Sequence, residues 1–322
     1  MFSIVEKRRW FFLLSAFVIV PGLVIMIFST LTTGAPFRLS IDFLGGSIYE
    51  LKFEDGGADE GNIRDVFASI GDDNIVIQSL GGVDEHRWSV RANFHDVEIT
   101  NDILDKLGEL SPIDRDSFRV ETVSATVGQE VARAALAAVA FGALVITGFI
   151  VVAFRQVPNA IRYGVCAVAA MLHDILVVMG VMSLMGLLLG WEVDALFLTA
   201  VLTVVGFSVQ DSIVMFDRIR ENIPKHLGEP YETIVNRSIW ETIHRSLATQ
   251  LNAFFIMIAI LLFGGETIKQ FIAILFVGLL SGTYSSIFTA VPLLVSWEKG
   301  EIPFLRGGFV EEDEDDYEPA TA

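Results

Sequence analysis

Six stretches of the chain are long and apolar enough to cross a lipid bilayer, which needs about 20 such residues. Hydrophobic residues make up 52% of the 322 residues. Inside hydrocarbon a backbone must satisfy its own hydrogen bonds, so segments of this kind cross as helices. The sequence therefore predicts an α-helical membrane protein with six transmembrane helices, at residues 10–31, 130–154, 163–190, 195–216, 246–265 and 271–297.

The basic residues predict which way these helices run. Twelve Lys and Arg fall in or near segments 1–9, 155–162, 217–245 and 298–322, whereas the opposite side carries Arg133 and Lys269. Basic loops stay on the cytoplasmic side of a membrane. We therefore expect both termini in the cytoplasm and segment 32–129 outside. The first apolar run continues without a small-residue cleavage site, which favours a retained helix over a cleaved signal peptide.

Charge and motif content exclude several classes of function. Residues 32–129 hold 8 Lys/Arg and 19 Asp/Glu, and the tail at 311–318 adds seven acidic residues, which accounts for the formal charge of −18. No basic face is available for nucleic acid. The single Cys166 excludes an intramolecular disulfide. Because no phosphate-binding loop, metal-ligand cluster or catalytic constellation is found, we expect no enzyme activity, no metal and no bound cofactor.

The outward segment has the pattern of a small α+β domain. Its predicted strands and helices alternate in the order βαββαβ, which is typical of a ferredoxin-like arrangement. The strands are predicted at residues 45–54, 74–80, 86–93 and 117–127, with a turn at Gly81-Gly82, and the helices at 59–70 and 96–110. We interpret this domain as a module for binding or for transmitting motion.

Asp211 is the only charged residue in the apolar run 195–216. A charged side chain at the bilayer centre costs about 2.5–3.5 kcal/mol on insertion scales, so such residues usually serve a function. Ser208 and Arg218 share its helix face. Either Arg218 or Arg245 could supply a neighbouring cation. Two readings stay open: Asp211 loads and releases protons, or it is a static member of a buried ion pair.

Other polar residues at membrane depth also have two readings. His173 and Asp174 in the third predicted helix could relay protons, or they could form a hydrogen bond that fixes helix packing. Similar polar residues, which could line a wet path or hold helices together, are Gln250, Asn252, Tyr284, Ser285 and Ser286. Gly206, and the spacing of Gly278 and Gly282, would allow close helix contact. Apolar residues recur at every fourth position from Val235 to Leu247, which predicts an amphipathic helix before the fifth span.

Several motifs together resemble the SecF family, the smaller partner in the SecD–SecF complexes of the resistance-nodulation-division superfamily. VGFSVQDSIVMFDRIREN at 205–222 is similar to the family signature, and IDFLGGSIYEL at 41–51 to its motif after the first helix. NRSIWETIHRSL at 236–247 and LFGG at 262–265 are similar to the segment around the fifth helix, and FRQVPNAIR with MLHD to the hairpin between the second and third helices. These motifs cover nearly the whole chain in order.

The resemblance implies a fold, partners and site residues. It implies six helices with an external ferredoxin-like domain, in the plasma (inner) membrane, paired with SecD beside the SecYEG channel. There the proton gradient would drive late export of a translocating polypeptide already pushed in by SecA. Asp211 would be the proton-responsive carboxylate and Arg245 its functional cation, with protons as the coupling ion. Gln210 stands where the family commonly has Asn, which leaves the carboxylate in place.

Two other functions are weighed against this one. The first is a half-size proton antiporter of the same superfamily, exporting small molecules or lipids; its relatives have far larger external domains than segment 32–129. The second is a passive scaffold that stabilises a channel and is indifferent to the proton gradient. The acidic tail at 298–322 lies outside the resemblance.

Overall fold

The computed structural model describes residues 3–54, 58–73, 75–80, 86–114, 117–155 and 159–302, apart from the side chains of 266 and 267. The Gly81-Gly82 turn, residues 156–158 of the hairpin motif and the acidic tail beyond 302 lie outside this description. The chain divides into two compact units. We call Met1–Arg38, Val139–Trp191 and Leu196–Ala322 the helical unit, and Leu39–Ala138 with Glu192–Ala195 the sheet unit.

Six helices in the described part of the chain are long and apolar enough to cross a membrane. This confirms the predicted fold class. In chain order the elements are α1 (Arg8–Thr33), α2 (Ile41–Leu44), β1 (Gly46–Lys52), α3 (Glu60–Ser69), β2 (Val76–Leu80), β3 (Arg87–Ala92), α4 (Val97–Leu110), β4 (Arg119–Val123), α5 (Ala125–Ala153), α6 (Ala160–Leu189), α7 (Ala195–Asn222), α8 (Tyr231–Phe263), α9 (Glu266–Ser285) and α10 (Val291–Glu298). A π-helical turn, Ser286–Ala290, joins the last two.

The fifth membrane helix begins earlier than the predicted span. The sequence predicts an amphipathic helix within 217–245 that leads into a span beginning at 246, and in the structure both belong to one continuous helix, α8, of 33 residues. No Pro or Gly lies between Tyr231 and Phe263, so nothing in the backbone breaks the helix. Pro230 precedes its first residue and Gly264 follows its last. The preceding helix α7 also continues to Asn222, beyond the predicted end at 216.

The sheet unit has the predicted ferredoxin-like order. Its strands are arranged β2-β3-β1-β4 and every neighbouring pair is antiparallel. Alternation along β1 buries Tyr49 and Leu51 and leaves Glu50 only partly covered. These side chains join Ile63 of α3 and Ile103 of α4 in one apolar core. The last strand is shorter than the predicted 117–127, because α5 begins at Ala125.

Charged side chains join the ends of four helices at one end of the helical unit. Arg8, at the start of α1, forms ion pairs with Glu232 of α8, at 3.0 Å, and with Glu301. Arg162, at the start of α6, lies 2.6 Å from Glu298 at the end of α10. The first and last described parts of the helical unit therefore lie at the same end of the bundle.

Two glycines of α9 bring that helix against α7. A Cβ on Gly278 would overlap the side chain of Val204, and a Cβ on Gly282 would lie 3.4 Å from the Cβ of Ser208. The predicted close contact at this glycine pair is therefore present. Gly206 differs from the expectation, because a Cβ at that position would meet nothing within 4 Å.

The contact between α7 and α9 predicts a stability effect. Gly278→Ala would force the new methyl group into Val204, and overpacking of this kind costs about 1–3 kcal/mol. We expect thermal unfolding of the purified protein in detergent to occur at a lower temperature. Adding Val204→Ala should recover most of the loss, and Gly206→Ala is the matched control, expected to be neutral or stabilising. An unchanged unfolding temperature in Gly278→Ala would contradict the contact.

The buried His95 predicts a pH dependence for the sheet unit. Burial lowers the pKa of His95 below its ordinary value and outweighs the opposing attraction of Asp72 and Asp96. The unfolded chain therefore binds the proton first, so this contribution to stability is complete above the ordinary pKa of about 6.5. It is lost as the pH falls through the pKa of the folded state. Hydrogen exchange of the full chain should show faster opening of β1 and β3 at acidic pH in the wild type, and a smaller effect in His95→Gln. Equal pH dependence in both proteins would contradict this role.

Candidate functional site

Asp211 lies in the middle of α7 and is only 7% exposed. Its Oδ2 accepts a hydrogen bond of 2.7 Å from Nε2 of Gln250 on α8. Gln250 is itself 4% exposed, so both partners are removed from solvent. This amide is the hydrogen-bond partner that the structure gives the Asp211 side chain within the described residues. A carboxylate has about four acceptor positions, which leaves Asp211 with lone pairs able to take a proton.

Neither candidate arginine pairs with Asp211 in the part of the chain that the structure describes. Arg218 instead binds Glu241 at 2.6 Å and Glu221 at 2.9 Å. Arg245 is exposed. The geometry of α8 explains this difference, since Arg245 and Gln250 are five residues apart and therefore point about 140° apart around the helix. With Gln250 facing Asp211, Arg245 instead lines a neighbouring cavity at the charged end of α7.

A polar cavity of about 340 Å³ lies beside this site. It is lined by charged and polar side chains of α7 and α8 and by one valine: Val214, Asp217, Arg218, Glu221, Glu241, Thr242 and Arg245. Val214 follows Asp211 by three residues. The cavity is thus formed by the ends of α7 and α8 that carry charge. Its inner wall lies about one helical turn from Asp211.

His173 and Asp174 form the second polar cluster of the bundle. Asp174 is fully buried and accepts hydrogen bonds from Ser208 of α7, at 2.6 Å, and from Ser281 and Ser285 of α9, at 2.6 and 2.7 Å. Nδ1 of His173 lies 3.1 Å from Oδ1 of Asp174. The packing role that the sequence allowed for this pair is therefore present, with Asp174 joining three helices.

The remaining predicted residues separate into buried and exposed positions. Ser208, on the same face as Asp211, bonds to Asp174 rather than to Asp211. Gln210 is exposed, so the methylene by which it is longer than Asn lies outside the bundle core. Tyr284 donates a hydrogen bond of 2.7 Å to the Phe11 carbonyl of α1. Asn252 is exposed on α8.

The sequence does not indicate two of the partners that the structure shows, Gln250 for Asp211 and Ser281 for Asp174. Their only signal is a polar side chain in an apolar helix, which shows that a partner is needed but not which one. Within the described residues no group of three or more His, Cys, Asp and Glu side chains is arranged to hold a metal ion.

The Asp211–Gln250 contact predicts a measurable coupling energy. Gln250→Leu removes the donor from a buried carboxylate, and hydrogen bonds to charged groups contribute about 1.5–3 kcal/mol. In a double-mutant cycle with Asp211→Asn, the unfolding free energies should therefore be non-additive by about 1–2 kcal/mol. Asn252→Leu, an exposed amide on the same helix, is the matched control and should add to Asp211→Asn. Additivity in both cycles would show that the contact does not form.

Family models match two parts of the chain. The model described as protein export membrane protein SecD/SecF, C-terminal, matches residues 103–300, and the SecD/SecF GG motif matches residues 30–56. The first covers more than half of the chain and includes Asp174, Asp211 and Gln250. The second includes the end of α1, the short helix α2 and strand β1.

Relatives and a solved structure match over nearly the whole chain. The protein translocase subunit SecF of Anaerolinea thermophila is 43% identical over 302 residues, covering 94% of this chain and 96% of the relative. The subunit of the same name in Thermobaculum terrenum is 39% identical over 322 residues, covering 95% and 96%. The crystal structure of SecDF, a translocon-associated membrane protein from Thermus thermophilus, matches with a TM-score of 0.72 and 30% identity. It covers 92% of this chain, which spans 39% of the SecDF chain.

Proposed function

The chain belongs to the SecF family of protein translocase subunits, and we propose that it uses the proton-motive force to assist Sec-dependent export of proteins. Its relatives are named for protein translocation, which favours this function over the antiporter of small molecules or lipids. In this proposal the chain is an accessory subunit of a translocase and not an enzyme. Its coupling ion is the proton, and it needs no bound cofactor.

The buried carboxylate of Asp211 carries the proposal of proton coupling. It lies at mid-helix, accepts one hydrogen bond from Gln250, and has lone pairs left to bind a proton. The charged cavity at Arg245 gives water and ions an approach to within about one helical turn. A buried ionisable group with an aqueous approach is the arrangement that proton-coupled membrane proteins use.

The exposed apolar surfaces of three helices support pairing with a second membrane subunit. Large apolar side chains are exposed along α1, α5 and α8, among them Phe17 at 75%, Leu136 at 75% and Phe255 at 70%. Such surfaces suit either lipid or another helical protein. We assign one of them to SecD, since the solved SecDF structure places matching helices in a larger chain. The SecYEG channel, SecA indirectly and the translocating polypeptide complete the proposed set of partners.

We infer the orientation of the chain in the membrane from the position of its basic residues. The basic residues Arg8 and Arg162 lie at the end of the bundle where the described chain begins and ends. By the positive-inside rule we assign this end to the cytoplasm and the sheet unit to the outer side of the plasma (inner) membrane. The transmembrane potential, worth about 2.3 kcal/mol per charge at 100 mV, then supplies energy for proton uptake from outside.

The proposed cycle begins when a proton neutralises Asp211. The bond from Gln250 then loses its charge-assisted character, which weakens the attachment of α8 to α7. The two helices repack, and Arg245 at the adjacent cavity stabilises the carboxylate when its charge returns. The sheet unit moves with its SecD counterpart and restrains the translocating polypeptide from sliding back.

Asp211→Asn tests the coupling. The amide cannot exchange a proton, so proton-dependent current through the SecD-containing complex in membrane patches should fall by about a hundredfold or more, as rates do when one acid–base group is removed. Export driven by a proton gradient in vesicles should fall with it. Arg245→Met should also impair export and leave assembly with SecD intact on pull-down.

Three controls separate this function from its rivals. Asn252→Leu, away from the site, should leave current and export unchanged. Export that is indifferent to the proton gradient in the wild type would instead support a passive scaffold. Purification from detergent should recover SecD and SecYEG with the wild type and with Asp211→Asn, and failure to recover SecD with either protein would argue against the proposed complex.

A further inference from the structure

The loop between α6 and α7 belongs to the sheet unit. Residues Glu192–Ala195 fall in that unit, although α6 and the rest of α7 fall in the helical unit. Ala195 is at the same time the last of these loop residues and the first residue of α7. The helix that carries Asp211 therefore starts inside the sheet unit.

Main-chain contacts join this loop to the segment that precedes β1. The amide of Ser40 donates to the carbonyl of Val193 at 2.9 Å, and Leu39 pairs with Val193 as an isolated parallel bridge. The side chain of Val193 is buried. A single bridge of this kind leaves a loop able to rotate, so its orientation depends on the side-chain contacts around it.

Two charged side chains of the sheet unit hold the two ends of the loop. Oδ2 of Asp42, in α2, accepts a hydrogen bond of 2.9 Å from the backbone amide of Ala195. The first amides of a helix have no partner within the helix, and a carboxylate at this end also interacts favourably with the helix dipole. At the other end of the loop, Arg91 of β3 forms an ion pair with Glu192 and donates to the carbonyl of Leu39 at 3.3 Å.

Close packing of α2 fixes the position of Asp42. A Cβ on Gly45, directly after α2, would lie 2.6 Å from the backbone of Ala125, and a Cβ on Gly128 would lie 2.8 Å from the carbonyl oxygen of Phe43. The backbone of α2 therefore lies directly against the first turn of α5. Close packing of this kind transmits displacement, so the carboxylate that meets α7 is attached to a stiff part of the sheet unit.

We propose that Asp42, Arg91 and Glu192, which we call the α7 clamp, transmit the state of Asp211 to the sheet unit. From Ala195 to Asp211 the helix continues without a proline, over about 24 Å along its axis. A shift or rotation of α7 at Asp211 therefore reaches its first residue, and the clamp passes it to α2 and β3. The three are positioning residues, since none of them takes the proton. The inference rests on the proposed proton-driven function and names the residues that connect proton binding to movement of the sheet unit.

Hydrogen exchange of the full chain in its complex with SecD tests the transmission directly. Asp211→Asn holds that side chain in a neutral form. We expect it to change the exchange rates of β1 and β4 by about fivefold or more, the low end of coupling between distant sites. This change should be lost when Asp42→Ala and Arg91→Gln are added. If Asp211→Asn alters these strands equally with and without the clamp, or alters them in neither case, the proposal is wrong.

Charge reversal separates transmission from a merely structural contact. Arg91→Glu and Glu192→Arg each place like charges together, whereas the double variant restores an ion pair in the reverse sense. We expect each single variant to keep the proton-dependent current, because Asp211 is unchanged, and to lower the stimulation of export by the gradient about fivefold or more. The double variant should recover most of this loss.

Arg87→Glu is the matched control for these variants. Arg87 is exposed on β3, four residues before Arg91, and should export as the wild type does when reversed. If the single variants at Arg91 and Glu192 lose current together with export, or fail to assemble with SecD, the contact is structural and the proposal is wrong. Export at the wild-type level in both single variants would also overturn it.

Failure of this inference can be told from failure of the proposed function. If wild-type export ignores the proton gradient while loss of the clamp still abolishes the effect of Asp211→Asn on β1 and β4, the clamp is supported and the proton-driven function is contradicted. If export depends on the gradient equally in the wild type and in the clamp variants, the function is supported and the clamp is contradicted.

Discussion

The three hydrogen bonds that Asp174 accepts from serines of neighbouring helices are the interaction on which the helical unit depends. They join α6 to α7 through Ser208 and to α9 through Ser281 and Ser285. A carboxylate in hydrocarbon is tolerated only where its acceptors are satisfied, so each serine must come within hydrogen-bond distance. The absence of side chains at Gly278 and Gly282 makes this possible, because α9 can then lie directly against α7.

Two buried carboxylates of the bundle, Asp174 and Asp211, have different surroundings. Asp174 accepts hydrogen bonds from three serines, so it anchors α6 to α7 and α9. Asp211 accepts one bond from Gln250 and lies near a charged cavity, and in the proposed function it exchanges a proton and changes how α8 meets α7.

Much of the fold could be predicted from the sequence, since long apolar runs and strand alternation are local patterns. The six helices and the βαββαβ order of the sheet unit are confirmed. Helix ends were less predictable: α8 runs through the predicted boundary at 246 because an amphipathic turn and an apolar span can share one unbroken backbone. Site partners were the least predictable. The ion pair between Asp211 and Arg245 is not formed, because helix rotation turns Gln250 toward α7 instead.

The sequence by itself determined that the chain crosses a membrane, which residues are polar at membrane depth, and to which family it belongs. These properties depend on composition and on short motifs, which tertiary contacts do not alter. Only the tertiary structure decided that Asp174 bonds to serines of two other helices and that Asp211 is held by an amide and not by a guanidinium. The physical reason is that a hydrogen bond between helices depends on their rotation and separation, and both are set by packing at sites such as Gly278, far from the bond itself.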